Sequence, residues 1–185
     1  LNPAAPEGPS RKVPFTGELL IERADFMEDA PKKYFRLKPD GEVRLKYTYI
    51  IKCNEIVKDA DGNVVELKCT YDPSTRPGSG EWRSVKGTIH WVSAAHAKEV
   101  ELRLYDKLFT EPEMGSIPEG KDYKEYLNPD SLKVTSGFAE PALLEDNSGL
   151  AVQFERVGYF FKDLDSTPEH FVFNKTTALK DSFKF

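Results

Sequence analysis

From Val43 to Ile51 the chain alternates along a two-residue period, with Val43, Leu45, Tyr47, Tyr49 and Ile51 on one side and Arg44, Lys46, Thr48 and Ile50 on the other. An extended strand satisfies that pattern and a helix does not. No segment carries apolar residues at the helical period for the ten or so positions that would make a stable helix. Shorter runs of the same kind recur between turn signals. Residues 17–21, 85–92, 100–109, 132–134, 149–154 running into 159–161, and 171–173 read as strands, and the phenylalanines of 182–185 are expected to order that end. Residues 55–58 and 64–71 flank Asp61-Gly62, the best hairpin turn in the chain. Residues 24–30, closed by Pro31, make at most a short helix. The prediction is an all-β chain of barrels or a sandwich.

A chain of 185 residues holds one large or two small domains, and 39% apolar with 12% aromatic residues marks it as folded. No run approaches the roughly eighteen apolar residues of a membrane span. The opening LNPAAPEGPSRKVPF reads as a Pro-rich linker rather than a signal peptide, and a start at Leu1 is expected of a cut piece. Cys53 and Cys69 lie in alternating segments and are expected to pack as small hydrophobes in a reducing cytoplasm. The net charge of −5, from 31 acidic and 26 basic residues, excludes a protein that coats polyanions with its whole surface. A polyanion site has to be local. The basic window is 32–52, where Lys32, Lys33, Arg36, Lys38, Arg44, Lys46 and Lys52 face only Asp40 and Glu42. Residues 110–128 are polar, acidic and rich in Pro and Gly, as in a mobile or partner-facing loop.

Catalytic signatures are missing. His90, His96 and His170 have no metal-ligand spacing with either cysteine. Ser93 and His96 are three residues apart on an extended chain and face opposite sides, without a nucleophile elbow. Gly78-Ser-Gly80 lacks the lysine of a phosphate loop, and Asp59-x-Asp61-Gly62 lacks the closing glutamate of a calcium loop. What remains is a base-reading pattern. Gln153 and Glu155 share a face by period two, Phe154 points the other way, and Arg156 reaches from the strand's edge or from a bulge near Gly158. Arg44 and Lys46 point away from the core. Amide, carboxylate and guanidinium groups address the exposed edges of unstacked RNA bases, while lysine and arginine neutralise phosphate. A polar outer sheet face accounts for the same residues.

Longer stretches carry a resemblance: PFTGELLIERADF (14–26), EVRLKYTYIIK (42–52), SVKGTIHWVSAAHA (84–97), RLYDKLF (103–109), GFAEP (137–141), QFERVGYF (153–160) and VFNKT (172–176). Their order and spacing resemble the C-terminal anticodon-binding region of glutaminyl-tRNA synthetases throughout the chain. The resemblance implies two interleaved β-barrels like that of a ribosomal protein. A distal barrel is expected mainly from about 27–90, and a proximal one from about 16–26 and 91–185, after a linker at 1–15. It implies no catalysis and no cofactor in this piece, since ATP and Mg belong to a preceding catalytic domain with its own motifs. The expected partners are the anticodon stem-loop of a glutamine tRNA and that catalytic domain, in a cytoplasmic monomer away from membranes. By motif position the RNA-binding residues are Lys33, Phe35, Arg36, Arg44, Lys46, Gln153, Glu155 and Arg156. Family members commonly have Gln at Lys33, Lys at Phe35 and Arg at Lys46, so fork geometry is lost at Lys46 and stacking replaces a charged contact at Phe35. Ala4 stands near where an Asn often contacts RNA, and a further pocket arginine is expected before Leu1.

Three other readings compete. Glutamyl-tRNA synthetases of the archaeal and eukaryotic kind carry a similar region, although HWVSAAHA and GFAEP favour the glutaminyl type. The chain could instead be a protein-interaction module that uses the acidic 110–128 segment. A carbohydrate-active β-protein would draw on Trp82, Trp91, Glu140 and Glu155, but no carboxylate pair can be placed in one cleft.

Overall fold

A computed structural model describes residues 11–79, 83–145, 149 and 151–179. These form two compact units, one of residues 14–95 and one of residues 11–13 with those from His96 onward. The expected ordering at 182–185 and Trp82 lie outside the described residues. No described helix is long and apolar enough to cross a membrane.

In the first unit the strands are β1 (Leu19–Leu20), β2 (Glu42–Leu45), β3 (Ile50–Lys58), β4 (Val64–Asp72), β5 (Thr88–Ile89) and β6 (Val92–Ser93). One sheet has the order β4-β3-β2-β5, with β2 and β5 parallel and the other neighbours antiparallel; β1 pairs with β6. The β3–β4 hairpin turns where Asp61-Gly62 predicts. Gly62 has φ 84, and Asp59 Oδ1 accepts the backbone N–H groups of Asp61 and Asn63 at 3.0 and 2.8 Å. The core gathers Phe26, Leu37, Val43, Leu45, Ile51, Cys53, Ile89 and Trp91. The ring of Phe15 meets those of Tyr49, Tyr71 and Trp91 at 5.0, 5.6 and 5.5 Å. Cys53 is buried as expected, whereas Cys69, opposite it in register, is exposed because β4 is the edge of the sheet.

The strand expected over 43–51 is interrupted. Thr48 N–H donates to Leu45 O at 3.0 Å and Tyr47 takes φ 63, so the chain reverses there and β3 returns antiparallel to β2. Val43, Arg44 and Leu45 are all buried. Period two requires one open face, and β2 has none: the segment around Thr75 and Arg83 covers the side on which Arg44 lies. The run expected at 85–92 is likewise split into the short strands β5 and β6.

The second unit contains β7 (Lys98–Tyr105), β8 (Leu132–Ala139), a single-turn helix α1 (Pro141–Leu144), β9 (Val152–Phe154), β10 (Gly158–Lys162) and β11 (Phe171–Thr177). Its sheet has the order β8-β7-β11-β10-β9, with β7 and β11 parallel. Val100, Ala139, Phe160 and Phe173 form the core, and Phe154 stacks on Phe160 with ring centroids 4.5 Å apart. The excursion at 110–128 folds into two 3-10 turns, Met114–Ser116 and Tyr123–Tyr126. It is tied at its base, where Thr110 N–H donates to Tyr126 O and Asn128 N–H to Leu108 O, both at 2.9 Å. Among the described residues the fold is all-β with only short helical turns, as its periodicity predicts. Among the described residues, hydrogen bonding closes none of the three sheets into a ring.

Phe160 is fully buried between Phe154 and the strand that carries Phe173. Phe160→Ala is expected to lower stability by about 3–5 kcal/mol, the usual loss for emptying a buried phenylalanine site, read from the midpoint of urea unfolding at an unchanged slope.

Candidate nucleic-acid interface

Arg44 lies on β2 with 6% of its surface exposed. A guanidinium so placed needs acceptors, and among the described residues three backbone carbonyls serve: Nη1 donates to Thr48 O (2.8 Å) and Thr75 O (2.9 Å), and Nη2 to Arg83 O (2.9 Å). Burial, together with the charge of Arg83, pushes its pKa below the ordinary arginine value. Arg83 answers with its own side chain, forking onto Glu42 at 2.8 and 2.9 Å and reaching Asp72 at 3.5 Å. Thr75 completes the cover: its hydroxyl accepts Ile50 N–H at 2.9 Å and donates to Asp72 O at 2.6 Å. Arg44 therefore faces a lining of carbonyls, contrary to the outward direction that alternation predicts.

Lys46 sits one residue past β2, in the turn that Arg44 holds. Its N–H donates to Ile89 O at 2.9 Å and its carbonyl accepts Trp91 Nε1–H at 3.0 Å, so its backbone is fixed from β5 and from the tryptophan of HWVSAAHA. Its ammonium lies 5.2 Å from the ring centroid of Tyr47, which is 68% exposed. The alternation had put Tyr47 among the core residues.

Lys33, Phe35 and Arg36 precede a short bridge between Phe26 and Leu37. Arg36 Nη1 donates to Ala24 O at 3.0 Å and lies 3.3 Å from the carboxylate of Asp25, which is fully buried. Tyr34 Oη donates to the same carbonyl at 3.0 Å. Lys33 is exposed, and the ring of Phe35, half exposed, has Lys86 Nζ 5.5 Å from its centroid. Behind Phe35 lies Gly87: a Cβ there would stand 2.1 Å from Phe35 O, a closeness only glycine allows. Gly87 O accepts Arg44 N–H and Ile89 O accepts Lys46 N–H, both at 2.9 Å. The 33–36 segment and the Lys46 turn thus meet the chain two residues apart, at Gly87 just before β5 and at Ile89 within it, roughly 7 Å along an extended backbone.

Gln153, Glu155 and Arg156 belong to the other unit. Gln153 is exposed on β9 opposite Tyr159. The strand ends at Phe154, and Val157 N–H donates to Phe154 O at 3.0 Å, which puts Glu155 and Arg156 in the β9–β10 turn. The period-two pairing of Gln153 with Glu155 accordingly fails: the extended backbone it needs stops one residue earlier. Arg156 has φ 62 and is exposed at the apex. Gly158 follows with φ 154, where a Cβ would stand 2.6 Å from Thr177 O.

The residues that position these side chains had no signal of their own in the sequence. Thr75 and Arg83 lie on either side of Gly78-Ser-Gly80, where no strand is expected, and Gly87 and Trp91 lie within the run expected as a strand at 85–92. Only folding brings them against β2 and its turn.

Two family models, both described as the anticodon-binding domain of class I tRNA synthetases (E and Q), match residues 1–72 and 88–163. A glutamine–tRNA ligase of Nitrobacter hamburgensis is 50% identical over 183 residues, covering 98% of this chain and 32% of its own length. One of Rhodopirellula baltica is 49% identical over 183 residues, with 98% and 30% covered. One of Escherichia coli is 50% identical over 186 residues, with 98% and 33% covered. The chain spans about a third of the length of the curated relatives it matches.

Arg44→Met leaves three carbonyls without their donor, each loss worth about 1–3 kcal/mol, so a drop of at least about 3 kcal/mol in unfolding free energy is expected by urea titration. Arg44→Lys keeps the charge without the fork and is expected to recover only a minor part of it. Arg83 holds the Glu42 carboxyl below its ordinary value. A depressed carboxylate stabilises the fold fully above its unfolded pKa and loses that contribution as the pH falls through the lower folded value. The melting-temperature gap between the wild type and Glu42→Gln should therefore be widest at neutral pH and close in acid.

Proposed function

Because this chain belongs to the anticodon-binding-domain family of the class I tRNA synthetases for E and Q, we propose that it reads the anticodon loop of a glutamine tRNA as part of a glutamine–tRNA ligase. The observation that carries the reading is that residues 87–89 hold the backbones of Phe35 and Lys46 two residues apart, with a half-exposed ring and a cation on rigid backbone, while Arg36, next to Phe35, is fixed on Ala24 and Asp25. Rings and guanidinium planes stack on splayed bases, and cations neutralise the backbone between them. Lys33 adds a further charge to that segment. In the other unit Gln153, Glu155 and Arg156 supply an amide, a carboxylate and a guanidinium, which can donate to and accept from base edges. Arg44 acts through the turn it holds and is a positioning residue.

Glutamine ligation, with ATP and Mg, is assigned to the part of the relatives that this chain does not span, and the protein is expected to work as a cytoplasmic monomer joined to that part. Arg103 makes a suitable control for charge alone. It contacts Glu101 at 2.8 Å, Asp165 at 3.1 Å and Asp163 at 3.4 Å, so its charge is neutralised locally.

A second reading, a protein-docking role, has its own observation. On the outer side of β8 and β7, Leu132, Val134 and Tyr105 are each about half exposed in adjoining register positions, and Phe138, also half exposed, lies further along the same face beyond Ser136.

Fluorescence-anisotropy titration of the chain tests the proposal, using stem-loops with CUG or UUG anticodons beside one with a scrambled loop, at two salt concentrations. Preference for the cognate loops, weakening steeply with salt, is expected. Lys46→Ala combined with Gln153→Ala should abolish the preference, while Arg103→Ala should leave it. Equal binding of all loops would reduce the site to an electrostatic platform.

A further inference from the structure

Among the described residues three that are not glycine have positive φ: Asp40 at 56°, Tyr47 at 63° and Arg156 at 62°. Aspartate tolerates that region because its short polar side chain bonds locally; a bulky residue there is an outlier. Tyr47 and Arg156 hold the same place in two separate hairpins. In one, Thr48 N–H donates to Leu45 O, and in the other Val157 N–H donates to Phe154 O, each at 3.0 Å. Each is thus the second central residue of a four-residue turn, where positive φ calls for glycine or asparagine. Both side chains are exposed, Tyr47 at 68%.

Packing does not account for a tyrosine here. The aromatic cluster of this unit is filled by Tyr49 with Phe15, Tyr71 and Trp91, and Tyr47 takes no part in it. The surroundings nevertheless force the conformation. Arg44 holds Thr48 O, Trp91 holds Lys46 O, Ile89 O holds Lys46 N–H, and Leu45 N–H donates to Tyr49 O at 2.9 Å. A strained residue persists where its neighbours over-determine it, and such strain concentrates at functional positions. The turn presents an aromatic face with the Lys46 ammonium 5.2 Å from its centroid, the pair of groups that an unstacked base and its phosphate require.

We infer that Tyr47 is a further RNA-contact residue, its ring stacking on one unstacked loop base while Lys46 neutralises the adjoining phosphate. The inference rests on the anticodon-loop reading above and gives the Lys46 turn the role that Arg156 has in the other unit, a side chain held out at a strained apex.

The test uses the 185-residue chain and the cognate stem-loop with 2-aminopurine placed in turn at each loop position. Wild type is expected to change the fluorescence at one position that Tyr47→Ala leaves unchanged, and Tyr47→Ala should bind about tenfold more weakly, the loss of one base–aromatic stack. Tyr47→Phe should keep both the signal and the affinity. Tyr47→Gly should bind as weakly as Tyr47→Ala while melting no lower than wild type, since glycine accepts φ 63 without strain. Tyr47→Ala binding within twofold of wild type would overturn the inference, as would Tyr47→Gly losing affinity and melting temperature together. Wild type that binds no stem-loop would overturn the RNA reading itself, and this inference with it.

Discussion

The Arg44 guanidinium and its three carbonyls organise the first unit. Burying a guanidinium is tolerable only where acceptors replace water, and its planar fork selects the directions from which they come. The acceptors belong to Thr48, Thr75 and Arg83, 4, 31 and 39 residues along the chain. One side chain therefore joins the β2–β3 turn, the 3-10 turn Pro73–Thr75 after β4 and the segment that leads into β5. The return clamp from Arg83 to Glu42 is on the surface, where an isolated ion pair contributes little. Its effect is to keep the Arg83 carbonyl in place for Arg44. Lysine, a point charge on a flexible stem, cannot address three directions at once.

From this follows a division of labour within five residues. Glu42 anchors the covering segment, Val43 and Leu45 enter the core, Arg44 fixes the turn, and Lys46 offers charge beyond it. The resemblance places Arg44 and Lys46 together on the RNA side. In the structure they sit in unlike environments, one lined by backbone carbonyls and one at the turn. Gly87 extends the arrangement to Phe35, because the absent side chain lets the Phe35 carbonyl come against the chain immediately before β5. A segment from before β2 and a turn from after it thereby share residues 87–89 as their support.

The sequence made the class of the fold legible because that class depends on local signals. The two-residue period where it holds, as in Val100, Leu102 and Leu104 of β7, the Asp61-Gly62 turn and the lack of helical periodicity each act within a few residues, and each corresponds to what folds. What it concealed depends on contacts made from afar. Val43 to Ile51 reads as one strand because Tyr47 and Thr48 have good strand propensity, and the reversal is imposed by partners at Ile89, Trp91 and Arg44. Arg44 reads as solvent-facing because nothing local announces that the segment around Thr75 and Arg83 lies over it. Gln153 and Glu155 read as one face because the strand's end at Phe154 is fixed by pairing with β10 rather than by a turn residue. The chemical types at the candidate site were visible; the directions in which they point were not.

Both hairpins that carry candidate residues use a non-glycine at a turn position where glycine would be easier. Reading an unstacked base favours this choice. A loop that is ordered only on binding spends affinity on its own immobilisation, whereas a turn already fixed by the protein loses little freedom. Glycine at φ 63 would give a relaxed turn with no side chain to offer. Tyrosine or arginine at the same φ offers a flat or forked group from a backbone that cannot move, provided other bonds hold the turn. In the first unit those bonds come from Arg44, Trp91 and Ile89, so the buried arginine and the exposed tyrosine form one device: the first supplies the rigidity that lets the second remain strained.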